Sequence, residues 1–165
     1  MLMPITPAEI AVSILAELIA VTWLPRLTQL VRNQYPQVTL QFEVSLNPEL
    51  IERTRSGELD MAVIAGPYAD ASFSSTSLGW TGFSWMAAGH AHLPARALTP
   101  QDLAQQGVIF QGADSFVTRA MQKWLGTQDN MRHSFCNSME AIASLTAAGV
   151  GVSLLSTEYY ASDIA

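Results

Sequence analysis

The apolar positions along this chain change period several times, and each change marks an element. Residues 10–15, IAVSIL, form a short, nearly continuous apolar run of the kind buried on both faces of a parallel sheet. In TWLPRLTQLVRNQYP the period becomes helical: Leu24, Leu27, Leu30 and Val31 share a face, Pro25 fits only near a helix start or a kink, and Pro36 marks the end. QVTLQFEV then alternates, Val38, Leu40, Phe42 and Val44 against Gln37, Thr39, Gln41 and Glu43, which predicts a half-exposed strand. NPELIERTRSGELD predicts a helix with Asn47 as N-cap, Pro48 at the first helical position and Gly57 as stop, and MAVIAG a second buried strand. Three strands separated by two helices through short connections predict a βαβαβ arrangement with right-handed crossovers.

The stretch PYADASFSSTSLGW is polar and small, and near residue 83 the alternation restarts. TGFSWMAAGHAHLP predicts an extended segment ending in a turn. TPQDLAQQ opens a helix at Thr99 with Pro100 inside it and Asp102 complementing its dipole. VIF is a buried strand, SFVTRAMQKWLG a helix capped by Ser115 and stopped by Gly126, and NSMEAIASLTAAGVGVSLL a helix that passes through a glycine turn into an apolar strand. The organisation expected is a loose segment 1–9, a first α/β lobe 10–80 and a second α/β lobe 81–165, joined near Trp80.

Composition narrows the function classes. With 165 residues, 49% of them hydrophobic, the chain can bury a real core, and its net charge of -6 with only eight Lys and Arg argues against a nucleic-acid surface. The single cysteine, Cys136, excludes an internal disulfide and a CxxC metal or redox pair, consistent with a reducing, cytoplasmic setting. The apolar stretch 10–24 lacks a basic leader, carries Glu17 and is too short to span a bilayer, so neither export nor membrane association is expected. The nucleophile elbow, the phosphate-binding loop and the dinucleotide fingerprint are all missing from the sequence, so enzymatic activity is not expected.

The order of the segments, with AELIAVTWLPRLTQLVRNQYPQVTLQF, RSGELDMAVIAG and NSMEAIASLTAAGVGVSLL, resembles the effector-binding domain of LysR-type transcriptional regulators. The resemblance is collinear from about residue 10 to residue 155. It rests on Trp23-Leu24-Pro25, Tyr35-Pro36, Gly57-Glu58-Leu59-Asp60 and Gly149-Val150-Gly151-Val152 in this order. It implies an α/β fold of two Rossmann-like lobes with a hinge, the type 2 periplasmic-binding-protein architecture, in which a small-molecule effector binds in a cleft between lobes. It also implies homodimers, with the helix 24–33 and alternating strand of one subunit antiparallel to the helix 138–147 of another. The family carries an N-terminal winged helix-turn-helix and a linker helix, which this sequence does not show, so no direct DNA binding by this chain alone is expected. The sequence also stops before the family's return strand and final helix, so a fold truncated at the C-terminus is expected, its second lobe lacking the usual return segment. Alternatives on the same fold are a solute-binding protein of a transport system, an enzyme, or a dimerising remnant without a ligand.

In open α/β sheets ligands sit beyond the carboxyl ends of the strands, where helix N-termini offer free N–H groups. Three places meet that description. Ala16, Glu17 and Leu18 follow the opening strand; Glu17 is either an exposed first-turn acid or a group favouring a ligand with a donor or positive charge. Gln111, Gly112 and Ser115 follow the buried strand VIF, as an ordinary strand-to-helix turn or a ligand turn. Asn137 and Ser138 head the next helix; capping alone would explain both, and the resemblance turns them toward the cleft, with Ser138 mainly structural and Asn137 the ligand contact. Gly66 and Pro67 are expected to form a further wall. No cofactor and no metal site is expected: His90 and His92 lack nearby acidic or thiol ligands and read as an exposed turn, and Cys136 as a structural residue at a strand end. Trp80, Trp85 and Trp124 are candidates to line an apolar pocket, with core packing the better reading for Trp124 beside Phe116, Ala120 and Met121.

Overall fold

The structure, a computed structural model, describes residues 8–14, 23–66, 68 and 70–164, with the side chains of 8–14 and 161–164 outside the description. The chain separates into two compact units, Met1–Ser74 and Ser75–Ala165.

In the first unit β1 (Ala8–Ile14) lies between β2 (Val38–Val44) and β3 (Met61–Val63), and all three run parallel. The opening strand therefore begins at Ala8, two residues before the apolar run. Its central place gives it backbone partners on both edges, Val38–Val44 on one side and Met61–Val63 on the other. Two helices connect the strands: α1 (Leu24–Gln34), with Pro25 in its first turn, and α2 (Asn47–Arg55). Leu50 of α2 is fully buried with Leu59 against Ala62, Ile64 and Ala65. By contrast α1 buries none of its residues fully, and Leu30 is 57% exposed.

Asn47 is the first residue of α2 and not its cap. Leu46 holds the cap position in extended conformation, without a side-chain bond. The Asn47 amide is engaged elsewhere: Nδ2 donates to the Ala65 carbonyl at 2.7 Å and Oδ1 accepts from the Ala65 N–H at 3.2 Å. An amide alone carries a donor and an acceptor side by side, so one side chain satisfies both backbone groups just past β3.

The second unit contains β4 (Phe83–Met86), α3 (Pro100–Gln106), β5 (Val108–Gln111), α4 (Phe116–Leu125), β6 (His133–Cys136), α5 (Met139–Ala147), β7 (Ser153–Ser156) and α6 (Thr157–Ile164). β5 and β6 are parallel, β4 and β7 antiparallel, and a parallel bridge from Val108 to Val152 joins the pairs, giving the spatial order β4-β7-β5-β6. Alternation sends neighbouring residues to opposite faces. Ile109 and Leu155 pack with Met139, Ile142 and Ala143 of α5 and Tyr160 of α6. Val108, Phe110 and Val152 pack with Leu103 of α3 and Met121 and Leu125 of α4. Each such buried Leu, Ile or Phe contributes about 1.5–3 kcal/mol.

The inward face of α4 is Thr118, Met121 and Leu125, whereas Phe116 and Trp124 are 42% and 44% exposed. The apolar reading of the helix thus chose the wrong stripe around Met121. Thr118 turns inward because its hydroxyl donates to the Gln111 carbonyl, which removes the cost of burying it. Trp124 lies on the half-buried Trp85, ring centroids 5.5 Å apart, while Trp80 is 97% exposed. At the start of α3, Thr99 and Asp102 form a reciprocal capping box, and Arg96 donates two bonds to the same carboxylate.

The Gly149-Val150-Gly151-Val152 turn has a steric basis. Gly149 has φ +78°, and a Cβ there would lie 2.6 Å from His90 Nε2. At Gly151 a Cβ would meet the Gly107 carbonyl oxygen at 2.9 Å. Gly151→Ala is therefore expected to lower stability by about 1–3 kcal/mol through overpacking against backbone, seen as a lower urea midpoint with unchanged slope. A midpoint equal to that of the native chain would show that the strands can separate without cost.

Candidate functional site

The parallel register of β5 and β6 pairs Gln111 with Cys136, so Gly112 and Asn137 follow on adjacent strands at the same level. Each leads within a few residues into a capped helix. Ser115 Oγ accepts from the Val117 N–H at 3.1 Å and donates to Gln111 Oε1 at 2.6 Å. Its own N–H donates to the Gly112 carbonyl at 2.9 Å. With Thr118 on the Gln111 carbonyl, the turn 111–118 is tied at both ends, and Ser115 and Gly112 are buried. Ser138 Oγ accepts from the Ala141 N–H at 3.2 Å and caps α5, as expected, while Asn137 is exposed one position before the cap. Helix starts of this kind leave backbone donors directed at whatever binds there.

Of the remaining candidates, Gly66 is exposed with φ +84°, directly after the Ala65 that Asn47 holds. Ala16, Glu17, Leu18 and Pro67 lie outside the described residues. The structure thus brings Gln111, Gly112, Ser115, Asn137 and Ser138 together at one edge of the second unit. Cys136 ends β6, half-buried, its thiol donating to the Ser138 carbonyl at 3.7 Å. His90 and His92 are exposed, and among the described residues no three His, Cys, Asp or Glu gather as metal ligands.

Sequence reasoning missed the groups that shape the chain after β3. Asp70 accepts from the Ser72 hydroxyl and N–H, from the Tyr68 hydroxyl at 3.0 Å and from Arg55 at 3.2 Å. The Ser72 bonds, followed by those from Tyr68 and Arg55, hold the Asp70 carboxyl well below the usual carboxylate range. The guanidinium of Arg55 also lies over the Phe73 ring, 5.9 Å from its centroid. The only forewarning in the sequence was Asp70 two residues before Ser72, the spacing of an Asx-turn.

Helix starts gathered at the end of two parallel strands, as in the second unit, are an arrangement that suits small-molecule binding in α/β proteins. The model of the LysR substrate binding domain matches residues 11–165, and the chain belongs to that family. Its fold is accordingly the type 2 periplasmic-binding-protein-like fold, and it is the effector-binding regulatory domain of a LysR-type transcriptional regulator. Among solved structures, the reduced regulatory domain of OxyR2 from Vibrio vulnificus superposes with TM-score 0.77 at 17% identity, covering 99% of this chain and 78% of that one. The reduced OxyR regulatory domain from Pseudomonas aeruginosa gives 0.73 at 22%, covering 96% and 76%. The effector binding domain of QuiR in complex with shikimate gives 0.74 at 15%, covering 90% and 73%. No curated protein sequence matches the chain significantly.

Because Asp70 and Asp102 both titrate below their unfolded value near 3.9, they stabilise the fold above that pH and the contribution is lost as pH falls toward the folded values. For Asp102 the cause is the Arg96 guanidinium, then the Thr99 N–H and hydroxyl. Asp70→Asn and Asp102→Asn are each expected to lower Tm at pH 7, with the difference from the native chain shrinking below about pH 4. Thermal melts across pH 2–7 check this; a gap independent of pH would assign the loss to something other than the carboxylate charge.

Proposed function

We propose that this domain senses a small metabolite through the edge formed by Gln111, Gly112, Ser115, Asn137 and Ser138. The observation that carries the reading is the β5–β6 register, which sets Gly112 and Asn137 side by side at two capped helix starts. Asn137 is the recognition residue: its amide is exposed and can both donate and accept. Ser115 and Ser138 act chiefly by fixing the two turns. In the first unit Gly66 and Pro67, and the turn Ala16-Glu17-Leu18, are proposed as ligand contacts on the family resemblance. QuiR, a relative in fold, is described with shikimate, a hydroxylated carboxylate, and this supports testing acids first.

The sensor reading implies a non-enzymatic mechanism in which the ligand binds one arrangement of the regulator better than another and shifts its population. It also implies a cytoplasmic protein; among the described residues no helix is long and apolar enough to cross a membrane. Homodimerisation belongs to the same proposal. Leu30 on α1, with Phe42 and Val44 on β2, leaves apolar surface exposed on one unit, and Leu145 does so on α5 of the other. Two copies set with α1 and β2 against α5 would cover these residues, and β2 is an edge strand, open to a neighbour.

A thermal-shift panel of shikimate, benzoate, succinate, amino acids and amines tests the sensor. A probe at 100 times its Kd adds about 2.7 kcal/mol, and Asn137→Ala is expected to weaken that binding about tenfold. No shift with any class would count against the reading. For the dimer, Leu30→Glu and Leu145→Glu are each expected to convert a dimer into a folded monomer in light scattering; an unchanged mass for both would remove this interface.

A further inference from the structure

Among the described residues of the second unit five serines and threonines are buried, and four have partners: Ser115 with Gln111 Oε1 and the Val117 N–H, Thr118 with the Gln111 carbonyl, Thr146 with the Ile142 carbonyl and Ser153 with the Ile109 carbonyl. Ser156 is the exception. It is 1% exposed, and its Oγ has no hydrogen-bond partner among the described residues. Buried hydroxyls in native proteins are almost always bonded, so an orphan calls for an explanation.

Its position supplies one. Ser156 ends β7, which the Val108–Val152 bridge joins to β5, the strand that leads into Gly112. The β5–β6 register sets Asn137 beside Gly112. Beyond Ile109 the backbones of β5 and β7 share no further bond among the described residues; the Ser153 hydroxyl takes the Ile109 carbonyl at 3.0 Å where a strand would. The two strands thus part toward their carboxyl ends, and a side chain there loses the backbone partners a continuous sheet offers. Leu154, two residues earlier and so on the same face, packs against the cluster of Phe110, Leu103 and Met121, which places Ser156 on the side of the sheet that α3 and α4 cover. The first turns of α5 and α6 already carry Glu140 and Glu158, whereas that of α4 carries no acid; Asp114, before its cap, is exposed. The positive end of α4 is the one left to favour an anionic oxygen.

We propose that the Ser156 hydroxyl is a further ligand contact, donating to a carboxylate oxygen of the molecule bound at the Gly112–Asn137 edge. The inference rests on the sensor reading and adds to it a residue and a chemical class. Its test separates the two. In the full chain, Ser156→Ala is expected to leave the melting temperature of the free protein equal to or above that of the native chain, because an unpaired polar group is removed. Binding of shikimate or benzoate, measured by calorimetry, is expected to weaken at least tenfold. Ser153→Ala is the comparison on the same strand, expected to lower the melting temperature and leave affinity within twofold. A fall of more than about 2 °C in free Ser156→Ala, or its failure to fold, would show a structural partner and overturn the proposal. So would unchanged affinity beside an Asn137→Ala defect, an outcome that leaves the sensor reading standing. If neither probe binds the native chain, the sensor reading fails for these acids, and the melting temperature of free Ser156→Ala still decides whether the hydroxyl lacks a partner.

Discussion

The second unit depends on one close approach. The chain entering β7 comes so near the end of α3 that a methyl group on Gly151 would sit 2.9 Å from the Gly107 oxygen, and beside it Val108 and Val152 join β5 to β7. That contact sets Val152 beside Val108, while the separate β5–β6 register sets Gly112 beside Asn137. It also decides the cores: with Val108 and Val152 paired, Phe110 and Leu154 turn toward α3 and α4 while Ile109 and Leu155 turn toward α5 and α6. A slip of one residue would exchange these faces.

Hydroxyl chemistry then does what apolar packing does not. Thr118, Ser115 and Ser153 each bond a backbone or side-chain group of β5, so the strand end is held by directional contacts as well as by burial. Such bonds add only about 0.5–1.5 kcal/mol each, yet they fix the turn 111–118 in one conformation. Rigid turns suit recognition, because a preorganised site loses less freedom when it binds. The first unit uses charge for a similar end: Arg55 gathers Glu52, Tyr68 and Asp70, and Arg53 gathers Glu43 and Glu58, tying α2 to the strand before it and the chain after it. These pairs are partly exposed, and their worth lies in geometry more than in energy.

The order of elements, the buried strand VIF, the caps Ser115 and Ser138, the Thr99–Asp102 box and the family itself were legible in the sequence, because each depends on neighbours within a few residues or on a period. Local rules failed where a distant group competed. Asn47 has the composition of a cap, but Ala65, eighteen residues away, takes its amide. Trp124 has the apolarity of a core residue, but the backbone oxygen at Gln111 draws Thr118 inward and turns the helix so that the tryptophan faces outward. Ser156 gave no sign at all, since whether a strand-end hydroxyl finds a partner depends on whether the next strand stays beside it. The sequence by itself determined which segments become helix or strand, since those choices are made by short-range sterics and periodicity. The tertiary structure alone decided which polar groups meet, because hydrogen bonds between segments far apart in the chain follow from strand register and leave no periodic trace.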